Sequence, residues 1–340
     1  MTDVAEANRF PRPARILRRS EIAALMEPSA YLSAVEAGFR SLANGETHVP
    51  APMHIAVRDG GFHAKGASVA LDRPYVAVKL NGNFPGNPRR NGLPAIQGAL
   101  LLCDATDGSL LAIMDSIEIT SQRTAATSAL AARLLARPDS DCIAICGCGE
   151  QGRAHLAAMA QILPIRRALV WDSDAQSARA FAQQARETLG LDVTAVPKLR
   201  DATLSSSVIV TVTPARSPFL ATDCVSEGAF IAAVGADNPE KSELAPELLA
   251  ASTIVADSVA QCAVMGDLHH ALEAGAVTLA DVHAELGEVV TGRKSGRTRP
   301  DEIVVFDSTG FAVEDAASAV WVYQRAIAKN VGLPISLGAL

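Results

Sequence analysis

The chain begins with short apolar strands broken by turn residues and later settles into a steady alternation of apolar strands and helical stretches. Over residues 20–45, Tyr31, Val35, Phe39 and Leu42 recur at helical spacing, with Ser20 and Pro28 as boundaries and Gly45 as a stop. His54-Ile55-Ala56-Val57 then leads through Arg58-Asp59-Gly60-Gly61 into Phe62-His63-Ala64-Lys65-Gly66-Ala67, a hairpin pattern. Tyr75-Val76-Ala77-Val78-Lys79-Leu80 follows Pro74 and precedes a Gly/Asn/Pro-rich loop over 81–94. Residues 98–104 and 110–115 make two more strands about the turn Asp107-Gly108. This first part predicts an antiparallel-rich sheet with flanking helices.

A helix capped by Thr120 or Ser121 and running to Pro138 leads into the stretch that organises the rest, Cys142-Ile143-Ala144-Ile145-Cys146-Gly147-Cys148-Gly149-Glu150-Gln151-Gly152-Arg153. It reads as strand, tight glycine turn and helix start, so that backbone N–H groups and the helix N-terminus can approach a pyrophosphate. A second strand, Ala168-Leu169-Val170-Trp171, ends on Asp172, at the spacing of the acidic residue that meets an adenosine ribose. A carboxylate there favours NAD(H) over NADP(H); its other use would be to cap the helix beginning near Ala175. Further strands at 193–195, 208–213, 230–235, 254–257 and 303–307 alternate with helices at 175–189 and 198–204, the pattern of a doubly wound parallel sheet. Ligand chemistry in such sheets collects at strand C-terminal ends, which hold Thr211, Thr213, Asp237 and Ser308. A final helix over 313–330 could return to the first part. No internal repeat or low-complexity linker interrupts the chain.

Strand alternation places Val76, Val78 and Leu80 on one face and Tyr75, Ala77 and Lys79 on the other; His63 and Lys65 likewise share a face. A lysine in an apolar strand serves either a solvated face or a site, and the loop after Lys79 points to a site. Arg123, read as lying in the first turn of its helix, is disfavoured by the helix dipole unless an anion binds nearby. Asp237, between an apolar strand and Asn238-Pro239, is either a turn cap or a carboxylate with chemical work.

At 340 residues the chain is long enough for about two domains. A net charge of −7 with no basic block argues against nucleic acid or an anionic membrane as partner, so anion sites must be local pockets. The first residues lack an apolar targeting core and no run approaches a membrane span, which gives a cytoplasmic expectation. Of the six cysteines, Cys142, Cys146 and Cys148 crowd the glycine-turn strand, and without a CxxC pair they read as small apolar residues, with no metal expected.

The sequence resembles the ornithine cyclodeaminase/μ-crystallin family. The resemblance is carried by Lys79 with Asn81-Gly82-Asn83-Phe84-Pro85 and Gly92-Leu93-Pro94; Arg123-Thr124-Ala125-Ala126; the glycine turn; Val234-Gly235-Ala236-Asp237 with Pro239 and Glu243-Leu244; and Phe306-Asp307-Ser308 with Gly310 and Val313-Glu314-Asp315. It implies a Rossmann NAD-binding domain (125–313) and an α+β substrate-binding and dimerisation domain (1–124 with 314–340), in a homodimer or higher homo-oligomer. It implies Lys79 and Asp237 as catalytic residues, Arg123 on the substrate carboxylate, and Thr124 with the turn Gly147, Gly149, Glu150, Gln151 and Gly152 on the cofactor phosphates; Asp172 by its spacing, and Thr211, Thr213 and Ser308 by their place at strand ends, complete the residues expected around NAD(H).

Two departures bear on the substrate. His54 stands where members often carry an arginine after a proline, and His63 and Lys65 stand where the ornithine enzymes have an acidic residue and a methionine. Cations there suit a second carboxylate and repel a distal ammonium. The expectation is an NAD(H)-dependent imino-acid reductase/amino-acid dehydrogenase, with iminosuccinate to L-aspartate as the specific reaction. The alternatives are an ornithine-type cyclodeaminase, yielding L-proline and ammonia, and a non-catalytic NAD-binding protein.

Overall fold

The structure is a computed structural model that describes residues 13–337. The targeting expectation for the chain start falls largely on residues 1–12, outside that range. Tertiary contacts divide the chain into two units, one taking the described residues up to Arg123 and again from Ala312, the other Thr124–Phe311. No helix of the described residues is long and apolar enough to cross a membrane.

The first unit is built on a seven-stranded sheet in the order Leu333–Ile335, Ala14–Leu17, Leu110–Asp115, Ile96–Asp104, Pro74–Asn83, Gly60–Ala70, Met53–Val57. All neighbours are antiparallel except Ala14–Leu17 beside Leu110–Asp115. The helical pattern of 20–45 resolves into two helices, Arg19–Leu25 and Pro28–Ala43, because Pro28 starts the second where a missing N–H costs nothing. Tyr31, Ala34, Val35 and Phe39 form the buried stripe of the longer helix. The last long helix, Ala312–Ala328, packs against this helix and the sheet, so the chain end is part of the first unit.

Side-chain alternation in this sheet runs opposite to a simple apolar-in pattern. Tyr75, Ala77 and Lys79 are buried, whereas Val78 and Leu80 are 41% and 45% exposed. Met53, Ile55 and Leu101 join them in register on an exposed apolar face. The strand also runs on to Asn83, so Asn81 pairs with His63 and Gly98 in the ladder instead of lying in the loop, and one helical turn, Asn87–Arg90, follows.

The second unit holds an eight-stranded, all-parallel sheet. Its order is Val282–Glu285, Thr253–Ala256, Val304–Asp307, Phe230–Ala233, Val208–Thr211, Cys142–Cys146, Arg167–Trp171, Asp192–Ala195. The chain starts centrally at Cys142–Cys146, builds outward to Asp192–Ala195, then returns to build the other side. The reversal creates a crevice beyond the C-terminal ends of Cys142–Cys146 and Val208–Thr211, the place where such sheets take ligands. Continuous burial of both strands fits a sheet covered on both faces. The expected doubly wound sheet is therefore present, with Val282–Glu285 as an added edge strand.

One boundary moves enough to change an argument. The helix expected to begin at Thr120 or Ser121 begins at Ser116, because the Asp115 carboxylate accepts from the N–H groups of Ile117 and Glu118 and caps it there. Arg123 thus lies two turns into the helix, beyond the range of its dipole. Its place in the helix therefore carries no sign of a bound anion.

Candidate functional site: a dinucleotide turn and a buried cation cluster

In the second unit the glycine turn joins Cys142–Cys146 to the helix Glu150–Ile162. Gly147 has φ +110°, and a Cβ on it would stand 2.5 Å from the Val212 carbonyl oxygen. A Cβ on Gly152 would lie 2.2 Å from the Gly147 carbonyl oxygen, so both positions require glycine. A Cβ on Gly149 would meet nothing within 4 Å, and this N-cap residue makes no side-chain cap. The first-turn N–H groups and the open backbone side fit a pyrophosphate.

Glu150 is exposed at the helix start, and Gln151 is half-buried, its carbonyl accepting from Nδ1 of His155 at 2.7 Å. His155 is buried, which pushes its pKa down to about 4, so the neutral ring accepts from Ser128 Oγ through Nε2 at 3.0 Å. The first turn of the cofactor helix is thereby tied to the helix that carries Thr124, which is also buried. The Asp172 carboxylate accepts from Cys148 N at 2.8 Å and Asp174 N at 2.9 Å, at the lip of the turn. Asp174, not Asp172, caps the helix Ala175–Leu189. These features fit a dinucleotide with its ribose at Asp172.

The other expected cofactor residues are placed less directly. Thr211 is wholly buried at a strand end. Thr213 gives its N–H to Glu243 Oε1 at 2.6 Å, and its Oγ1 accepts from Ala215 N. Ser308 is buried, and its hydroxyl donates to Asp257 Oδ2 at 3.1 Å.

Strand-end geometry rests on buried carboxylates that the sequence reading left without a role. Glu243 accepts from Thr213 N and Gly235 N and so clamps two neighbouring strand ends. Asp267 accepts from Glu243 N and Leu244 N, Asp307 from Leu268 N, and Asp257 from Ser258 N, Thr309 N and Gly310 N. Burial raises Glu243, Asp267 and Asp307 above the ordinary carboxylate range; Asp267 adds to the rise of the other two. Asp257 and Asp307, at the ends of the strands Thr253–Ala256 and Val304–Asp307, were the available signal. Asp237 lies just past the Glu243 clamp, about half exposed, with Oδ1 2.7 Å from Lys241 Nζ and 3.2 Å from Asn238 Nδ2.

In the first unit the ladder pairs His54 with His63, Lys65 with Lys79, and His63 with Asn81. Directly paired residues share a face, so His54, His63, Lys65 and Lys79 all lie on the face that also buries Tyr75 and Ala77. The His54 and His63 rings are 4.3 Å apart between centroids. Lys79 Nζ is 2.6 Å from Asp315 Oδ2 and 3.4 Å from Thr120 Oγ1. Arg123 gives Nε to Asp315 Oδ1 at 2.8 Å and Nη1 to Glu314 Oε2 at 2.6 Å. All four of these charged side chains are buried.

Burial pulls Lys79 down to about 8; Asp315 opposes that shift, and Arg123 and Lys65 add to it. Burial also penalises Arg123, but Asp315 and Glu314 outweigh it and hold the guanidinium firmly charged. For Asp315 burial alone would raise the pKa, and Arg123 with Lys79 overcome it, so the carboxylate stays ionised below its ordinary value.

All six cysteines are free thiols, four of them buried. Among the described residues, His269, His270 and Glu273 come close enough together to suggest a metal, and none of them belongs to either arrangement above.

A Rossmann-type dinucleotide fold joined to an antiparallel unit with buried cations defines the class of NAD-linked α/β proteins. More narrowly, the model of the ornithine cyclodeaminase/mu-crystallin family matches residues 13–330, and the chain belongs to that family. The alanine dehydrogenase of Archaeoglobus fulgidus is 35% identical over 320 residues, 94% of this chain and 97% of that protein. A solved archaeal alanine dehydrogenase dimer with bound NAD is 34% identical, with a TM-score of 0.91 over 95% of this chain and 99% of that one. The Thermococcus litoralis Delta(1)-pyrroline-2-carboxylate reductase, in complex with NADH and L-proline, is 33% identical with a TM-score of 0.91, covering 94% of this chain and all of that one. The iminosuccinate reductase of Paracoccus denitrificans, in complex with NAD+, is 30% identical with a TM-score of 0.88, covering 96% of this chain and all of that one.

Proposed function

We propose that this protein reduces a dicarboxylic imine with NADH, iminosuccinate to L-aspartate, and runs the reverse reaction as an amino-acid dehydrogenase. At the coarser level it is an NAD(H)-dependent oxidoreductase acting on C=N and CH–NH2 groups, like the relatives above. The observation that carries the finer reading is the gathering of basic side chains on one face. Lys79, Lys65, His54 and His63 share one face of the sheet, and Arg123 from the helix Ser116–Leu135 joins Lys79 at Asp315. A substrate with one carboxylate needs only part of that set, and a distal ammonium would meet repulsion.

Bound NADH supplies a hydride to the imine carbon, and imine, NADH and one proton give amine and NAD+. Lys79 and Arg123 hold the α-carboxylate, while Lys65 with the two imidazoles receives the second. Asp237 passes the proton to the imine nitrogen, and its contact with Lys241 keeps the carboxylate oriented. The turn glycines with Thr124, Glu150, Gln151, Thr211, Thr213 and Ser308 shape the cofactor pocket, and Asp172 takes the ribose hydroxyls and disfavours a 2′-phosphate. The exposed apolar face of Met53, Ile55, Val78, Leu80 and Leu101 mates with a second copy, in keeping with the solved dimer; sedimentation velocity measures that mass.

The test is NADH absorbance loss with oxaloacetate and excess ammonium, against pyruvate, glyoxylate and pyrroline-2-carboxylate. Ammonium-dependent loss with oxaloacetate, and a KM raised about tenfold or more in Lys65→Met for that substrate alone, is the expected result. Turnover confined to the comparators removes the dicarboxylate. L-Proline formed from ornithine without net NADH change replaces the reductase by a cyclodeaminase, and NADH binding without any turnover leaves a binding protein.

A further inference from the structure

Two strands and two helices bring the groups that face Lys79. The strand Gly60–Ala70 brings Lys65 opposite it and His63 two pairs further along, with His54 beyond; the strand Ile96–Asp104 offers the apolar Leu100. The helix Ser116–Leu135 brings Thr120 and Arg123, and the helix Ala312–Ala328 brings Glu314 and Asp315. Of the two acids, Glu314 is engaged with Arg123, whereas Asp315 divides its oxygens, Oδ1 to Arg123 and Oδ2 to Lys79. One carboxylate in the first turn of the last long helix therefore ties together a strand lysine and a helix arginine, the arginine standing 192 residues before it in the chain.

We propose that Asp315 is a positioning residue that holds Lys79 and Arg123 side by side as cations, with Lys65 acting on Lys79 in the opposite sense. The proposal deepens the reductase reading and rests on it for its meaning in catalysis. Asp315 touches no substrate; it works through the charge and place of Lys79. Removing its negative charge lets Lys79 lose a proton at lower pH. Removing the positive charge of Lys65 lets Lys79 keep its proton to higher pH. The two substitutions must move one group in opposite directions, which a packing defect would not do.

The test is a pH titration of the full chain labelled with 13C at lysine Cε, the Lys79 signal being assigned by its loss in Lys79→Arg. The parent signal should titrate below the ordinary lysine range, at about 8, where burial and the charges around it together leave it. Asp315→Asn, which keeps the volume, should lower that midpoint by about one unit or more, and Lys65→Met should raise it. In parallel, the ratio of variant to parent kcat/KM for imine reduction across the same range cancels titration of the substrate. Its Lys79-dependent limb should follow the NMR midpoints, while NADH affinity stays unchanged. Midpoints that stay put, or that move the same way in both variants, overturn the proposal. Should Asp315→Asn fail to fold, the half-buried Lys65 still carries the test, and an unmoved midpoint in Lys65→Met overturns the opposition. A parent that titrates as expected but reduces no imine refutes the reductase reading and leaves the assignment of Asp315 standing.

Discussion

In the first unit Glu314 and Asp315 are buried against an ammonium and a guanidinium, whereas in the second Glu243, Asp257, Asp267 and Asp307 are buried chiefly against backbone N–H groups. Full charges opposite Asp315 overcome its desolvation and keep it ionised. Dipoles opposite Glu243, Asp267 and Asp307 do not, and these acids sit above their ordinary range. The same residue types thus do different work. Paired with cations, carboxylates keep their own charge in a buried place; set against amides, they fasten strand ends and loops.

That difference can be broken most severely at Arg123. Arg123→Met, of similar size, takes the guanidinium away from the buried Glu314 and Asp315, and the loss should be about 3–5 kcal/mol by denaturant unfolding. A loss below about 1 kcal/mol would mean the cluster is far more hydrated than its burial shows.

The two regions should also respond oppositely to pH. Glu243, Asp267 and Asp307 keep protons in the folded protein that the unfolded chain, ionising at about 4, has already released. Their contribution is complete below that ordinary value and is lost as pH rises through their raised folded values. Asp315 behaves in reverse, its contribution present above the ordinary value and lost as pH falls through its lowered one. Melting temperature should therefore decline as pH is raised from about 6 to about 8, and Glu243→Gln, which cannot ionise, should flatten that decline. An unchanged slope in the variant would remove Glu243 from the titrating set.

The smallest effect belongs to the exposed counterpart of these pairs. Lys241→Met breaks a contact to a half-exposed Asp237, and stability should change by less than about 1 kcal/mol, with the difference vanishing in high salt. If Asp237 handles the substrate proton, the variant should instead lower kcat while NADH affinity is kept. A stability loss as large as that of Arg123→Met would erase the distinction between exposed and buried pairs.

Much of the second unit was legible beforehand because its signals are local. A strand, two glycines with no room for Cβ and a helix lie within one short stretch, and the strand ending at Asp172 follows at a spacing set by one helix. The first unit was harder. Alternation gave two faces for Tyr75 to Leu80, but hydrophobicity pointed the wrong way, since the more apolar face with Val78 and Leu80 is exposed and Lys79 is buried. Arg123 drew attention through a helix start that lies elsewhere, because Asp115 was the better cap.

By itself, then, the sequence determined the parallel α/β alternation, the glycine turn, the acidic residue beyond it and the set of residue types available for chemistry. These follow from backbone sterics and short-range periodicity, which act over one or two elements. Tertiary structure alone decided that His54, His63, Lys65 and Lys79 share a face, that Glu243 clamps two strand ends, and that Asp315 bridges Lys79 and Arg123. Those choices depend on strand register and on the electrostatic cost of burial, and a lysine becomes tolerable inside only when a distant carboxylate is folded against it.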